Sequence, residues 1–134
     1  GLEDAAAAAR AARASLAEGG PRAVVATDPW PDPNAVWIVI ADAEGVWGSR
    51  APRAAGTWRG AGDLFLGLMI ASWASGAPTG HGLRAAAARS AAALAHALAD
   101  ERVAADQPRE ITLAAIHSAA DAMGRPTPPI EKIG

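Results

Sequence analysis

Alanine supplies most of the apolar residues of this chain, and this limits the core that the chain can build. Apolar residues make up 51% of the 134 residues, but an alanine side chain removes little area from water when it is buried. A chain of this length is enough for one domain with a single core and not enough for two. We therefore expect residues 1–134 to form a single domain, or part of one, with a thin core.

Charge and composition exclude several classes of function. The formal net charge is -2, and no cluster of lysines and arginines offers a track for a nucleic-acid backbone. The absence of cysteine excludes disulfides and thiolate sites, and the three histidines are too scattered to predict a metal site. No run of roughly 18 strongly apolar residues occurs, and the first ten residues are acidic, unlike a signal region. We expect a cytoplasmic protein that binds neither nucleic acid nor membranes.

Periodicity and breaker residues predict about four helices and three strands. The helices are predicted at 2–18, after Asp63, at 81–100 and at 108–124. The strands are predicted at 22–27, at 35–41 and from Val46, with the last two forming a hairpin, while 51–59 and the C-terminal tail are irregular. A typical sheet has about five or six strands. This order of elements therefore suits one half of an α/β sandwich.

The helix that follows Asp63 has apolar side chains on every face. A helix that is apolar all round is typical of a buried position, so we expect this helix inside the core. The residues concerned are Leu64, Phe65, Leu66, Leu68, Met69 and Ile70.

Two glycines and an aspartate stand directly before this helix. Gly60 and Gly62 allow backbone N–H groups to converge on an anion without a Cβ in the way, and the start of the helix adds its positive dipole end. Asp63 could then take a proton from an attacking hydroxyl while the loop stabilises a transferring phosphoryl group. The alternative is structural, because aspartate is also a favoured N-cap residue.

The stretch RGAGDLFLGLMIASW, residues 59–73, resembles the Gly-x-Gly-Asp signature of the ribokinase-like superfamily, and the pyridoxal kinase branch most closely. The preceding stretch EDAAAAARAARASLAEGGPRAVVATD is similar to the helix, Gly-Pro turn and Val-Val-x-Thr strand before the site in pyridoxal kinases. The hairpin at 35–50 is similar to their next two strands. The resemblance implies the C-terminal, ATP-side half of a ribokinase-like three-layer αβα sandwich.

The same resemblance implies a reaction, its cofactors and its site residues. The reaction is ATP-dependent phosphorylation of the 5′-hydroxymethyl group of a vitamin B6 vitamer (pyridoxal, pyridoxine or pyridoxamine), with Mg²⁺. Asp63 matches the catalytic base of the family, and the anion hole is matched by Gly60, Ala61 and Gly62. Positions near ATP are matched by Thr27, Asp28, Pro52, Arg53 and Ala54. Asp28 stands where a serine is frequent, and Arg53 has the alternative of being a solvated loop arginine.

The chain lacks the half of such an enzyme that carries most vitamer contacts and the acidic Mg²⁺-associated motif. We therefore expect its partner to be the missing N-terminal half or, in a homodimer, a second copy. Two alternatives stay open at this point. The chain could be a non-catalytic nucleotide-binding or interaction fragment, or it could belong to a hydroxymethylpyrimidine or sugar kinase of the same superfamily.

Overall fold

A four-stranded antiparallel sheet lies at the centre of the computed structural model, which describes residues 1–16, 22–76, 80–99, 101 and 109–134. The elements in chain order are α1 Leu2–Ser15, β1 Val24–Thr27, β2 Ala35–Asp42, β3 Gly45–Pro52, β4 Trp58–Arg59, α2 Ala61–Ser75, α3 Gly80–Ala99, β5 Arg109–Glu110, α4 Leu113–Ala122 and β6 Glu131–Lys132. The strand order in the central sheet is β1-β2-β3-β6, and β4 and β5 form a separate parallel pair. The predicted α/β class is confirmed.

The hairpin of β2 and β3 was predicted and forms the middle of the sheet. Its turn is closed by Asp42, whose Oδ1 accepts a hydrogen bond from the Glu44 N–H at 2.8 Å. Gly45 follows with φ 142°, a conformation that side chains rarely allow. The register pairs Asp42 with Gly45 at the turn and Ala35 with Pro52 at the open end.

The two faces of the sheet are covered by different helices. Successive side chains of a strand point to opposite faces, so Ile38 and Ile40 lie on one face and Val39 and Ala41 on the other. The first pair belongs to a core cluster with residues of α2 and α3, and the second pair packs with the alanines of α1. The sheet therefore lies between α1 on one side and α3 on the other.

Alanine allows α3 to approach the sheet closely. Ala86 and Ala87 are almost fully buried against the central strands, and Ala91 extends the same cluster. Both α2 and α4 pack on α3 and contribute less to the sheet. No helix among the described residues combines the length and the apolar character needed to cross a bilayer.

The expectation that α2 is buried on all sides is wrong. Phe65 and Met69 are buried, but Leu66 is 47% and Ile70 is 50% exposed, and Trp73 is also exposed. The reason is that only one side of α2 packs against α3 and the core, so its other apolar side faces outward in this chain.

Several predicted boundaries also differ from those in the structure. The last helix begins at Leu113 and not at Pro108, because Thr112 is its N-cap and accepts a hydrogen bond from the Ala115 N–H at 3.1 Å. Pro108 itself lies outside the described residues, as do 17 and 18 at the end of the first predicted helix and the predicted helix end at 100. The regions predicted to be irregular contain the last two residues of β3 and the short strands β4 and β6, and β5 occupies residues that were predicted to be helical.

Candidate functional site

Three segments that are distant in the sequence meet at a cavity of about 430 Å³. The first is the end of β1, the second is the end of β3 with the loop after it, and the third is the start of α2. They bring together seven of the nine residues predicted for the site, namely Thr27, Asp28, Pro52, Arg53, Ala54, Ala61 and Gly62. Gly60 and Asp63 are not among the residues that line the cavity.

The cavity also has an apolar wall, which faces the core of the molecule. Phe65 of α2 is buried there, and Trp58 stands at the loop side, where its indole N–H donates to the Ala55 carbonyl oxygen at 3.0 Å. The remaining apolar lining comes from β2 and α3 and consists of Val36, Ile38, Ala91, Leu94, Ala95 and Leu98. A cavity of this size with one apolar wall and a polar rim is typical of a small-molecule site.

Asp28 and Arg53 form a bidentate ion pair at the polar rim. The Arg53 Nη1 and Nη2 atoms donate to Asp28 Oδ2 at 3.0 Å and to Oδ1 at 2.5 Å. The guanidinium also donates to the carbonyl oxygens of Asp32 and Ala35, at 2.7 Å and 3.1 Å. The hydrogen bond to Asp28 is the main cause that raises the pKa of Arg53. Arg53 is therefore held by the protein itself, and its charge is offset by Asp28.

The backbone supports this pair at both ends. Asp28 has φ 49°, the left-handed region that aspartate tolerates better than most residues, and its N–H donates to the Trp37 carbonyl oxygen at 2.8 Å. Asp32 orders the proline-rich loop, because its carboxylate accepts from the Asn34 N–H at 2.8 Å and from the Trp37 indole N–H at 3.0 Å. These hydrogen bonds, the Asn34 bond first, lower the pKa of Asp32.

The start of α2 presents amides that have no partner within the helix. Gly60 is the N-cap residue with φ 86°, and its carbonyl oxygen accepts the first helical bond from the Leu64 N–H at 2.9 Å. The N–H groups of Ala61, Gly62 and Asp63 precede that bond and have no acceptor within the helix. A Cβ added to Gly62 would meet no heavy atom within 4 Å, so the fold itself does not require glycine there.

The short parallel pair of β4 and β5 fixes the loop that leads into α2. The Arg109 N–H donates to the Thr57 carbonyl oxygen at 2.9 Å, and the Ile111 N–H donates to the Arg59 carbonyl oxygen at 3.1 Å. Ile111 also lies 3.7 Å from the position of a Cβ on Gly60. Since Gly60 directly follows β4, these contacts fix the direction in which the helix start points.

Asp63 lies in the first turn of α2, three residues after the cap. The alternative that Asp63 is the N-cap residue is therefore wrong, since Gly60 has that position. The side chain is exposed, and its carboxylate forms no hydrogen bond or ion pair with the residues that the structure describes. A carboxylate in the first helical turn is stabilised by the helix dipole, so this position also has a structural benefit.

The ion pair at the rim was not predicted from the sequence, although both of its residues were predicted for the site. Asp28 and Arg53 are 25 positions apart, and no local pattern connects them. The role of Asp32 did have a signal, because aspartate followed by Pro-Asn is typical of a turn closed by a side chain.

No known protein family, curated protein or solved structure matches this chain. Within the described residues, no three acidic or histidine side chains group together as metal ligands.

Proposed function

We propose that this chain is the C-terminal, ATP-side half of a pyridoxal kinase of the ribokinase-like superfamily, located in the cytoplasm. Its reaction is the transfer of the γ-phosphoryl group of ATP to the 5′-hydroxymethyl group of a vitamin B6 vitamer. The observation that carries the proposal is the convergence of 27–28, 52–54 and 61–62 on one cavity of about 430 Å³. The family resemblance implies that these three segments lie near one another at the nucleotide, so their convergence supports the proposal.

The two sides of the cavity suit the two parts of a nucleotide. The apolar wall, with Phe65 and Leu94, can cover a flat purine ring. The polar side offers the free amides of Ala61 and Gly62, which suit phosphate oxygens at a helix start. Mg²⁺, when bound to the nucleotide, offsets phosphate charge. The described residues do not form a site for it themselves, because Asp28 is held by Arg53.

Asp63 is the proposed catalytic base. In this role its carboxylate accepts the proton of the substrate hydroxyl, whose oxygen forms a bond to the γ-phosphorus. The bond from that phosphorus to the β–γ bridging oxygen breaks, and ADP leaves with the electron pair. An exposed carboxylate beside the cavity lining can meet a substrate that arrives from outside this chain.

The vitamer side of the site is proposed to come from the missing N-terminal half or, in a homodimer, from a second copy. Support comes from the apolar side of α2, where Leu66, Ile70 and Trp73 are exposed. Sedimentation of the natural gene product together with its intact mass distinguishes the two. A mass near twice 13.5 kDa indicates the additional half, and a dimer of 13.5 kDa chains indicates the second copy.

One observation favours a second candidate, a non-catalytic nucleotide-binding or interaction fragment. Asp63 does not line the cavity, so a nucleotide could bind there without any base in reach. The same observations also fit a kinase of this superfamily that acts on hydroxymethylpyrimidine or a sugar. An activity assay with all three classes of substrate distinguishes it from a pyridoxal kinase.

The test compares two matched carboxylates in the natural gene product. Asp63→Asn should abolish phosphoryl transfer to pyridoxal, while Mg-ATP affinity from calorimetry stays within about threefold, since the base acts only in the transition state. Asp4→Asn is the control, because Asp4 also lies in a first helical turn, three residues after a glycine N-cap, in α1. Near-normal turnover of Asp63→Asn would refute the base assignment. Mg-ATP binding without transfer in the unmodified protein would favour the second candidate.

A further inference from the structure

A second cavity, of about 210 Å³, lies between α3 and the turn that follows α4, and two arginines line it. Arg89 comes from α3 and Arg125 from the turn, and the rest of the lining is apolar, with Ala92, Ala93, Ala122 and Pro126. No acidic residue is among these lining residues. The cavity shares no lining residue with the candidate nucleotide site.

The guanidinium of Arg89 is only partly satisfied. Its Nη2 donates to the Thr127 hydroxyl at 2.9 Å. Its Nε is fully buried and has no hydrogen-bond acceptor among the described residues. A buried donor without an acceptor is unfavourable and uncommon in folded proteins, and an arginine is always charged. This donor therefore indicates an acceptor from outside the described chain.

Arg125 adds a second positive charge that no carboxylate pairs with in the described parts of the chain. Its Nη1 lies 2.6 Å from Nδ1 of His96. Because a guanidinium only donates, Nδ1 of His96 is the acceptor in this contact. Asp121 does not line this cavity, but it lines a neighbouring cavity that Arg125 also borders, together with His96 and His117.

The end of α4 does not supply the missing acceptor either. Its last carbonyl oxygens are already used by the turn, since the Gly124 N–H donates to Asp121 at 3.2 Å and the Arg125 N–H donates to Ala122 at 3.0 Å. The Met123 N–H donates to the carbonyl oxygens of Ala119 and Ala120, at 3.2 Å and 3.3 Å. No carboxylate among the described residues forms an ion pair with either guanidinium, so their positive charge is available to a ligand.

We propose that Arg89 and Arg125 form a binding site for a phosphate-type oxyanion, either free inorganic phosphate or the end group of a phosphomonoester. Guanidinium groups donate in pairs to phosphate oxygens, and the Nε of Arg89 completes such a pair with its own Nη atoms. A cavity of about 210 Å³ is below the usual range for drug-sized ligands, which suits one phosphoryl group. The proposal stands independently of the kinase assignment.

The test is a calorimetric titration of the whole chain with inorganic phosphate and, separately, with glycerol 2-phosphate at constant ionic strength. Arg89→Gln and Arg125→Gln should each weaken binding at least tenfold. Arg50→Gln, which removes an exposed arginine of β3 that lines neither cavity, should leave phosphate binding unchanged. Tighter binding of the ester assigns the site to phosphomonoesters, and the reverse order assigns it to free phosphate.

Two results would overturn the proposal. One is phosphate binding that survives both Arg89→Gln and Arg125→Gln, and the other is binding that is lost in Arg53→Gln alone. Circular dichroism of each variant verifies the fold, and Arg125 is exposed, so its substitution keeps the test valid if Arg89→Gln unfolds. Arg89→Lys is a further check, because lysine keeps the charge without the Nε donor and should also bind phosphate more weakly.

Discussion

Replacing Arg84 by methionine should destabilise the fold more than any exposed arginine substitution. Arg84 joins α3 to the β2–β3 hairpin, and its side chain is only 4% exposed. Its Nε donates to Asp42 Oδ2 at 2.5 Å, and its Nη2 donates to Glu44 Oε2 at 2.8 Å. Its guanidinium carbon also lies 3.9 Å from the centroid of the Trp47 ring. Methionine keeps most of the side-chain volume and removes the charge.

The size of the expected loss in the free energy of unfolding depends on the buried carboxylate of Asp42 that remains after the substitution. Removing one partner of a buried ion pair costs about 3–5 kcal/mol, because the other charge stays buried without compensation. Asp42 keeps two donors after the change, the Glu44 N–H at 2.8 Å and the Trp47 indole N–H at 3.4 Å. The loss should therefore be near the lower end, about 3 kcal/mol in the free energy of unfolding. Glu44 contributes little to this value, since it is 70% exposed.

The assay is urea unfolding at pH 7, followed by far-UV circular dichroism and tryptophan fluorescence in parallel. The matched control is Arg50→Met, because Arg50 is exposed and its guanidinium carbon lies 6.0 Å from the Trp37 ring centroid, so its loss should cost less than about 1 kcal/mol. The double variant with Asp42→Asn and Arg84→Met should lose less free energy of unfolding than the two single variants lose together. If Arg84→Met costs no more than Arg50→Met, the buried pair does not stabilise this fold as argued.

Three further predictions concern pH and the cavity proposed to bind the nucleotide. Burial alone raises the pKa of Asp42, but the Arg84 and Glu44 hydrogen bonds outweigh it and lower the pKa below the model-peptide value of 3.8. The contribution of Asp42 to the free energy of unfolding should therefore be fully present above pH 3.8 and decrease as the pH falls below it. Measuring the urea midpoint at a series of acidic pH values tests this. Asp28→Asn should release Arg53 and tighten Mg-ATP binding by calorimetry, at a stability cost of about 0.2–1 kcal/mol, since the pair is partly exposed. Gly62→Ala should raise the free energy of unfolding by up to about 1 kcal/mol and yet weaken Mg-ATP binding.

The long helices and the central hairpin could be predicted because their signals are local. The prediction of 81–100 for α3 differs from the observed start at Gly80 by one residue, since alanine favours helix whatever it packs against. The β2–β3 hairpin follows equally from β-branched residues on either side of a tight turn. The start of α4 was predicted at Pro108, although the sequence also contains a signal for the correct start. Thr112 precedes an apolar run, which is typical of an N-cap residue.

Other features depend on partners that a linear sequence does not reveal. The two-residue strand β6 exists because Glu131 and Lys132 lie opposite Gly48 and Trp47, and not because of their own β-propensity. The exposure of Leu66 and Ile70 has the same origin, because an apolar surface becomes buried only where another element covers it. Local hydrophobicity therefore predicts which residues can be buried, and the packing decides which of them are.

Gly62 shows why the candidate site could be proposed from the sequence although its distances could not. In a helix, glycine is less favourable than alanine by about 1 kcal/mol, so a helical glycine requires a reason. The fold requires glycine at position 45, because its φ is 142° and atoms of Gly134 and Lys132 lie where a Cβ would be. A Cβ on Gly62, in contrast, would meet nothing within 4 Å. Gly62 instead lines the cavity, where a bare backbone lets a ligand approach the amide. A glycine that the fold does not need, at the start of a helix and facing a cavity, favours a binding role.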